Sequence, residues 1–292
     1  MNKPHTSVSE KPDSEKSDQA ISSPNIKDLG IWALYRQSLK PSDSKFNLYF
    51  ARPLAAPLVY LFAKTRCTPN QVTFMSTLIM LVACCALIFI DGNIGLWLAV
   101  AGTELSYIFD CVDGQLARVT KRSSAVGGDL DFMMDELKAY LLILSIGLRG
   151  LAWDSALWWK PSLWTGSTET WALSSALGTL LITASAITLT RFVRSERYAL
   201  ATGGQAQGHG QSAGEGRSGG PLWLLKALAR LVTQYPASLP LFALTQTLDT
   251  FLYAYAVLHL LYVGQSGLGI ILKLGRFAPK TSPNHAGTEE PR

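Results

Sequence analysis

Charged residues are scarce in this sequence. They make up 16% of its 292 residues, whereas an average soluble domain carries about 25%. Hydrophobic residues make up 48%, and the mean hydropathy is +0.18 although both ends of the chain are polar. The middle of the chain is therefore more apolar than the mean. This composition excludes a disordered chain and argues against a soluble enzyme.

Cysteine is also scarce, with four residues in the whole chain. That number is too small for a disulfide scaffold, and none of the four lies in a Cys-x-x-Cys pair. Cys84 and Cys85 fall inside an apolar run, so we expect them to serve as packing residues. A cleavable signal peptide is not expected, because no apolar run follows the first basic residues.

What the chain has instead is a series of apolar segments long enough to cross a membrane, about 20 residues each. We predict an all-α integral membrane protein whose catalytic domain, at 67–276, has six transmembrane helices. A Gly-rich flexible linker at 203–220 separates the fourth span from an amphipathic stretch at 223–232 and the fifth span. The predicted spans are 69–90, 94–113, 128–153 and 170–191, followed by two helices within 237–274 that turn near Asp249.

The segments outside these spans are of two kinds. Residues 1–28 are polar and rich in Ser, Lys and Pro, which predicts a disordered tail, and 277–292 is a second polar tail. Residues 29–66 are apolar but interrupted by charges and prolines, among them Arg52 and Pro57. This pattern predicts one or two amphipathic helices that lie on the membrane surface.

The positions of Lys and Arg predict the orientation in the membrane. With the N-terminus inside, only Arg149 and Lys160 lie in or beside the outer loops, and the other 24 of the 26 Lys and Arg lie at inner ends, in inner loops or in the tails. Positive charge concentrates on the cytoplasmic side of membrane proteins. We therefore expect a multi-pass protein of the cell inner membrane, with both termini and the 114–127 loop in the cytoplasm.

Four aspartates carry the chemical signal, because carboxylates are costly in membrane helices and mark functional sites. Asp110 and Asp113 are three residues apart at the end of the second span, so they share a helix face. Asp131 and Asp135 are four residues apart at the start of the third span and also share a face. A short inner loop makes the two helices antiparallel neighbours. The two pairs are therefore predicted to converge at the cytoplasmic ends of these helices.

Four converging carboxylates would repel one another unless cations held them together. Hard oxygen ligands of this kind suit Mg²⁺ or Mn²⁺, and we expect two ions. Two ions that clamp the oxygens of a phosphoryl group would polarise it for attack. Gly114 leaves room for a ligand to approach the backbone, and Arg118, with Lys121 and Arg122 nearby, supplies positive charge for a phosphate.

The full pattern from 110 to 135 is Asp-x2-Asp-Gly-x2-Ala-Arg-x8-Gly-x3-Asp-x3-Asp. It resembles, without a departure, the signature of the CDP-alcohol phosphatidyltransferase family. The span count, the surface segment before the first span and the Thr-Pro-Asn-Gln-Val-Thr run that begins at Thr68 are similar to that family as well. Pro69 is also an ordinary residue for the first turn of a helix, so the second motif is weak alone.

The resemblance implies transfer of a substituted phosphate from a CDP-linked donor to an alcohol acceptor, with release of CMP, in phospholipid or related biosynthesis. It further implies a homodimer among membrane lipids, and no nucleic-acid partner. By the same resemblance Asp110, Asp113 and Asp131 bind metal, and Asp135 acts as the general base and also contacts a metal. The nucleotide and phosphate contacts that it implies are Gly114, Ala117, Arg118 and Gly127.

Several residues have a second interpretation. Arg118 could extend to anionic head groups, and Lys121 and Arg122 fit the inner-side charge bias. Glu104 could line the site or bond a neighbouring helix. The three arginines near the end of the fourth span could bind a phosphate or follow the topology alone; they are Arg191, Arg194 and Arg197.

The alternative functions are a small cation transporter or channel, and a family member that has lost activity and serves as an interaction protein. Transporter sites lie near the bilayer midplane, whereas these aspartates lie at helix ends beside a basic loop. The intact set of four aspartates argues against lost activity.

Overall fold

The computed structural model describes residues 30–39, 46–153, 158–202, 229 and 231–274. All regular structure in these residues is helical. A π-helical turn at Asn47–Ala51 leads into the second helix. The helices are α1 (Ile31–Ser38), α2 (Arg52–Ala63), α3 (Pro69–Phe89), α4 (Gly92–Val119), α5 (Ala125–Ala152), α6 (Thr168–Arg194), α7 (Glu196–Thr202), α8 (Tyr235–Leu244) and α9 (Leu248–Ile271). The predicted tails at 1–28 and 277–292, the linker at 203–220 and most of the amphipathic stretch at 223–232 lie outside the described residues.

Four helices are long and apolar enough to cross a membrane: α3, α4, α6 and α9. Helix α5 has 28 residues, the same length as α4. Helix α8 has only ten residues, which span about 15 Å, half of the roughly 30 Å of a bilayer core. The described chain is therefore an all-helical protein with at least four helices of membrane-spanning length.

Local chemistry sets where the helices begin. The Thr68 side chain accepts a hydrogen bond from the Gln71 backbone N–H, and the Gln71 Oε1 accepts one from the Thr68 backbone N–H. This capping box, with Pro69 in the first turn, begins α3. Ser124 caps α5 by accepting from the Gly127 N–H at 3.0 Å.

Helix α4 continues past the predicted end of the second span. The prediction assigned 114–127 to a loop, but α4 ends at Val119 and the connection to α5 is only five residues long, with Lys121 at a φ of 53°. Three reasons favour the longer helix: Gln115, Leu116 and Ala117 are good helix formers, one Gly costs only about 1 kcal/mol, and Leu116 and Val119 are buried against the N-terminal helices.

The predicted turn near Asp249 also falls earlier. The turn lies at 245–247, where Gln246 has a φ of 55°. Asp249 lies instead in the first turn of α9, and its Oδ2 accepts a hydrogen bond from the Trp159 backbone N–H at 3.1 Å. The carboxylate thus anchors the 158–167 connection.

Two apolar clusters hold the helices together. One, built around Met80, Ile143 and Phe251, joins α3, α4, α5, α6, α8 and α9. The other joins α1 and α2 to the end of α4 through Leu34, Val59 and Leu116. The second cluster positions the N-terminal helices beside the aspartate pairs.

Small residues allow close contact between α5 and α6. A Cβ placed on Gly147 would lie 2.2 Å from the Ala176 Cβ and 3.3 Å from the Ala172 carbonyl oxygen. Such small-residue contacts are the usual way in which membrane helices approach closely. This packing fixes α5, which carries two of the aspartates.

Arg149, one of the two positive charges in or beside the predicted outer loops, has a structural role. Its guanidinium is buried and donates to the carbonyls of Leu87 at 3.2 Å, Ile90 at 3.3 Å and Gly92 at 2.9 Å. The side chain therefore satisfies backbone acceptors where α3 ends and α4 begins.

Candidate active site

Three of the four aspartates converge as the sequence predicts. Helix α4 contributes Asp110 and Asp113, and the antiparallel α5 contributes Asp131. One carboxylate oxygen from each lies within 4.8 Å of the other two. Ligands on opposite sides of Mg²⁺ at about 2.1 Å stand about 4.2 Å apart. The oxygen-only donor set and its spacing therefore fit a hard divalent cation.

Asp113 is the most deeply buried of the three, at 4% exposure. Its Oδ2 accepts a hydrogen bond of 2.6 Å from the Thr73 hydroxyl on α3. The Thr73 hydroxyl also lies 3.2 Å from the Pro69 carbonyl oxygen, on the same helix. A short bond to a charged acceptor is strong and directional, so α3 orients this carboxylate.

Asp135 stands outside the group of three and is paired with a lysine. Its Oδ1 lies 2.8 Å from the Lys138 Nζ, and half of its side-chain surface is exposed, at 48%. The same ammonium lies 2.5 Å from the Asp110 Oδ1 and donates to the Ser76 Oγ at 3.1 Å. Lys138 itself is 1% exposed. A buried cation thus bridges one aspartate of each predicted pair.

A cavity of about 170 Å³ opens beside the three carboxylates. Six of the eight predicted site residues line this cavity, and the other two, Asp110 and Asp135, do not. Polar residues that the motif does not fix complete its wall, namely Asn70, Thr73, Arg122, Ser123 and Ser124. The predicted residues that line it are Asp113, Gly114, Ala117, Arg118, Gly127 and Asp131.

Arg118 is held over Gly114 by the N-terminal helix. Its Nε donates to the Ser38 carbonyl oxygen at 2.7 Å, at the end of α1. A Cβ placed on Gly114 would lie 3.4 Å from the Arg118 Nη1. A single Cβ would make ordinary van der Waals contact at this distance, whereas a branched side chain would reach the guanidinium. The bond to Ser38 at the end of α1 orients Arg118.

Gly127 faces the cavity from the first turn of α5. A Cβ there would lie 3.0 Å from the Ser124 Oγ and 3.3 Å from the Asn70 Oδ1. The glycine thus lets the capping serine and the start of α3 come close together. The N-termini of α3 and α5 both border the cavity, and such helix ends favour anions.

The structure places the residues that have two interpretations, and Arg197 lies exposed on α7. Arg122 lines the cavity, whereas Lys121 is exposed in the connecting loop. Arg191 lies over the Phe132 ring, with its Cζ 5.2 Å from the ring centroid. Arg194 lines a different cavity, of about 400 Å³, between α6, α7 and α9. Glu104 is not among the cavity's lining residues.

Sequence reasoning missed Lys138, and it assigned no role to Thr73 or Asn70. A signal existed for each. Lys138 lies seven residues after Asp131 and three after Asp135, so a helix places all three on one face. Thr73 and Asn70 belong to the Thr-Pro-Asn-Gln-Val-Thr run, which the structure brings to the cavity wall.

Comparison with known proteins decides the family. The family model for CDP-alcohol phosphatidyltransferase matches residues 66–264, more than half of the chain and the whole aspartate site. The chain belongs to the CDP-alcohol phosphatidyltransferase family. It is thus a member of a family of transferases, and the matched region runs from the cap of α3 into α9.

One curated relative aligns with part of this CDP-alcohol phosphatidyltransferase. The chain is 38% identical to the archaetidylinositol phosphate synthase of Pyrococcus horikoshii over 90 residues. The aligned region is 30% of this chain and 45% of the relative, so it spans less than half of that protein.

Proposed function

We propose that this protein transfers a phosphatidyl or phosphoalcohol group from a CDP-linked donor to the hydroxyl of an alcohol acceptor and releases CMP. The observation that carries the proposal is the group of three carboxylates beside a basic, glycine-walled cavity. The family match supports the same reaction class. In the proposed step, the acceptor oxygen attacks the β-phosphorus, the bond from that phosphorus to the bridging oxygen breaks, and CMP leaves with the bond's electrons.

Asp110, Asp113 and Asp131 are the residues proposed to hold Mg²⁺ or Mn²⁺. When bound, such an ion supplies positive charge that stabilises the phosphate oxygens during transfer. The sequence predicts two ions, and the three clustered carboxylates are the donor set for the first. The Thr73 hydroxyl keeps Asp113 aimed at this position.

The cavity next to the carboxylates is proposed to take the nucleotide phosphates. Arg118 presents its guanidinium there, anchored to Ser38. Gly114, Ala117 and Gly127 leave room along the helix surfaces. The cavity is smaller than a typical ligand pocket, which holds about 300–1000 Å³, so the bound donor extends out of it toward the lipid or the solvent.

Asp135 is proposed as the general base. The family resemblance implies two roles for it, base and metal ligand, and its position outside the group of three carboxylates favours the base. Its Oδ1 is held by Lys138 while half of its surface stays open to an acceptor. The carboxylate takes the hydroxyl proton as the acceptor oxygen attacks, and then passes it to solvent.

A phosphorylated polar acceptor is the substrate class that we favour. The curated relative is named for making archaetidylinositol phosphate. Arg122 in the cavity wall and Arg191 above Phe132 add positive charge around the aspartates, which suits an acceptor such as inositol phosphate or glycerol phosphate.

We propose a multi-pass inner-membrane protein with six crossings and both termini in the cytoplasm. The six crossings in this proposal are the four apolar helices, helix α5, and helix α8 together with the helical residues 231–233 that precede it. An even number of crossings places both termini on one side, and the Lys and Arg bias places that side inside. The active form is proposed to be a homodimer.

Release of CMP by the purified full-length protein tests the function. A panel of CDP-linked donors is offered with phosphorylated and free alcohols in Mg²⁺ or Mn²⁺, for the wild type, for Asp135→Asn and for Asp129→Asn. Asp129 lies on the same helix outside the site, so this control removes a charge of the same kind. The proposal expects CMP release that needs donor, acceptor and metal, persists in Asp129→Asn and falls at least 100-fold in Asp135→Asn. Equal activity of the two variants would exclude Asp135 as the base.

A further inference from the structure

The Lys138 ammonium is buried at the site and contacts three side chains. It has three donors, and each has a partner: Asp110 at 2.5 Å, Asp135 at 2.8 Å and Ser76 at 3.1 Å. The Lys138 side chain is 1% exposed. An unpaired charge at such a depth would be strongly destabilising, so these contacts form one arrangement.

The partner hydroxyl is itself fixed. Ser76 on α3 and Ser106 on α4 each donate to the other's backbone carbonyl at 2.9 Å. Both side chains are at most 2% exposed. The pair ties α3 to α4 beside the ammonium, and the Lys138 Nζ contacts Ser76 on α3 and Asp110 on α4.

Resting on the proposed function, we infer that Lys138 takes the place of a second metal ion, so that the site binds one divalent cation per chain. The Nζ lies 2.5 Å from the Asp110 Oδ1 and 2.8 Å from the Asp135 Oδ1. An ion bound through these same two atoms at about 2.0–2.1 Å from each would overlap the ammonium. The first cation position, among Asp110, Asp113 and Asp131, stays open to an ion. Asp110 is shared by both arrangements.

Formal charge alone allows either count, so the position of the ammonium decides between them. Four carboxylates carry a charge of −4; one divalent ion and one ammonium bring it to −1, whereas two ions and the ammonium would bring it to +1. With one ion, Asp135 has the Lys138 ammonium as its partner and no metal. Lys138 also fixes the orientation of Asp135 without filling a metal coordination shell, which leaves that carboxylate available for a proton.

Counting bound Mn²⁺ tests the inference without any turnover. The full-length protein in detergent is titrated with Mn²⁺ alone, free ion is measured by electron paramagnetic resonance, and bound metal per chain is confirmed by elemental analysis. We expect one Mn²⁺ per wild-type chain. Two ions per wild-type chain would overturn the role of Lys138 and leave the proposed function standing, whereas no bound ion would overturn the metal-dependent function itself.

Lys138→Met supplies the second arm, because it keeps the length of the side chain and removes the charge. We expect this variant to bind a second Mn²⁺ through Asp110 and Asp135. Lys160→Met is the matched control. Lys160 lies in the 158–167 connection and donates to the Gly166 carbonyl oxygen, so this variant should still bind one ion. A single ion in Lys138→Met with unchanged affinity would contradict the inference; an intact elution profile in size-exclusion chromatography shows that the variant is folded.

Discussion

Replacement of Thr73 by Val tests how the carboxylate group is held, because it removes one hydroxyl and keeps the side-chain shape. The Thr73 hydroxyl donates to the Asp113 Oδ2 at 2.6 Å, and both residues are at most 4% exposed. A hydrogen bond to a charged group contributes about 1.5–3 kcal/mol. If that energy holds Asp113 in its metal-binding orientation, its loss weakens Mn²⁺ affinity by about 10- to 150-fold.

The assay is Mn²⁺ binding to the full-length protein, with Thr73→Ser and Thr77→Val as controls. The serine keeps the hydroxyl, so its affinity should stay near that of the wild type. The Thr77 hydroxyl bonds only to its own helix, at the Thr73 carbonyl, 3.1 Å away. Thr77→Val removes the same group one turn further along and should leave the affinity unchanged. A Thr73→Val affinity within twofold of the wild type would refute the reasoning that α3 orients Asp113.

Three further predictions follow from the packing and the site. Gly147→Ala should lower the free energy of unfolding by about 1–3 kcal/mol, because its Cβ would lie 2.2 Å from the Ala176 Cβ. The measurement is the melting temperature in detergent. Gly178→Ala should leave that temperature unchanged, because a Cβ at Gly178 has no neighbour within 4 Å. Gly114→Val should raise the KM for the CDP-linked donor at least tenfold, because a branched side chain would displace the Arg118 guanidinium, which lies 3.4 Å from the Cβ position. An unchanged KM would exclude a role for Gly114 in binding the nucleotide. Removal of divalent ions by EDTA should abolish CMP release, and Mg²⁺ or Mn²⁺ should restore it; full activity in EDTA would exclude the metal role of the carboxylates.

The convergence of the aspartates could be predicted from the sequence because it depends on local rules. Spacings of three and four residues place each pair on one helix face, and a short connection makes the two helices antiparallel neighbours. Hydropathy likewise located α3, α4, α6 and α9, since long apolar runs have few alternatives to a membrane helix. These features need no knowledge of how distant segments pack.

The remaining features depend on contacts between distant segments. The end of α4 at Val119 follows from burial of Leu116 against the N-terminal helices, which a reading of hydropathy along one segment does not capture. Thr73 and Ser76 meet the site only because α3 packs beside α4. Lys138 has no role in the sequence analysis, and its distances to Asp110 and Asp135 make it part of the carboxylate group.

The proposed reaction moves the β-phosphate of a CDP-linked donor to the acceptor. A donor that carries ³²P only in the β-phosphate tests this transfer directly, with the wild-type protein in Mn²⁺ and a phosphorylated alcohol as acceptor. We expect the label in the acceptor product and unlabelled CMP. Label that stays with the nucleotide while the acceptor is consumed, or CMP release at the same rate without an acceptor, would contradict it.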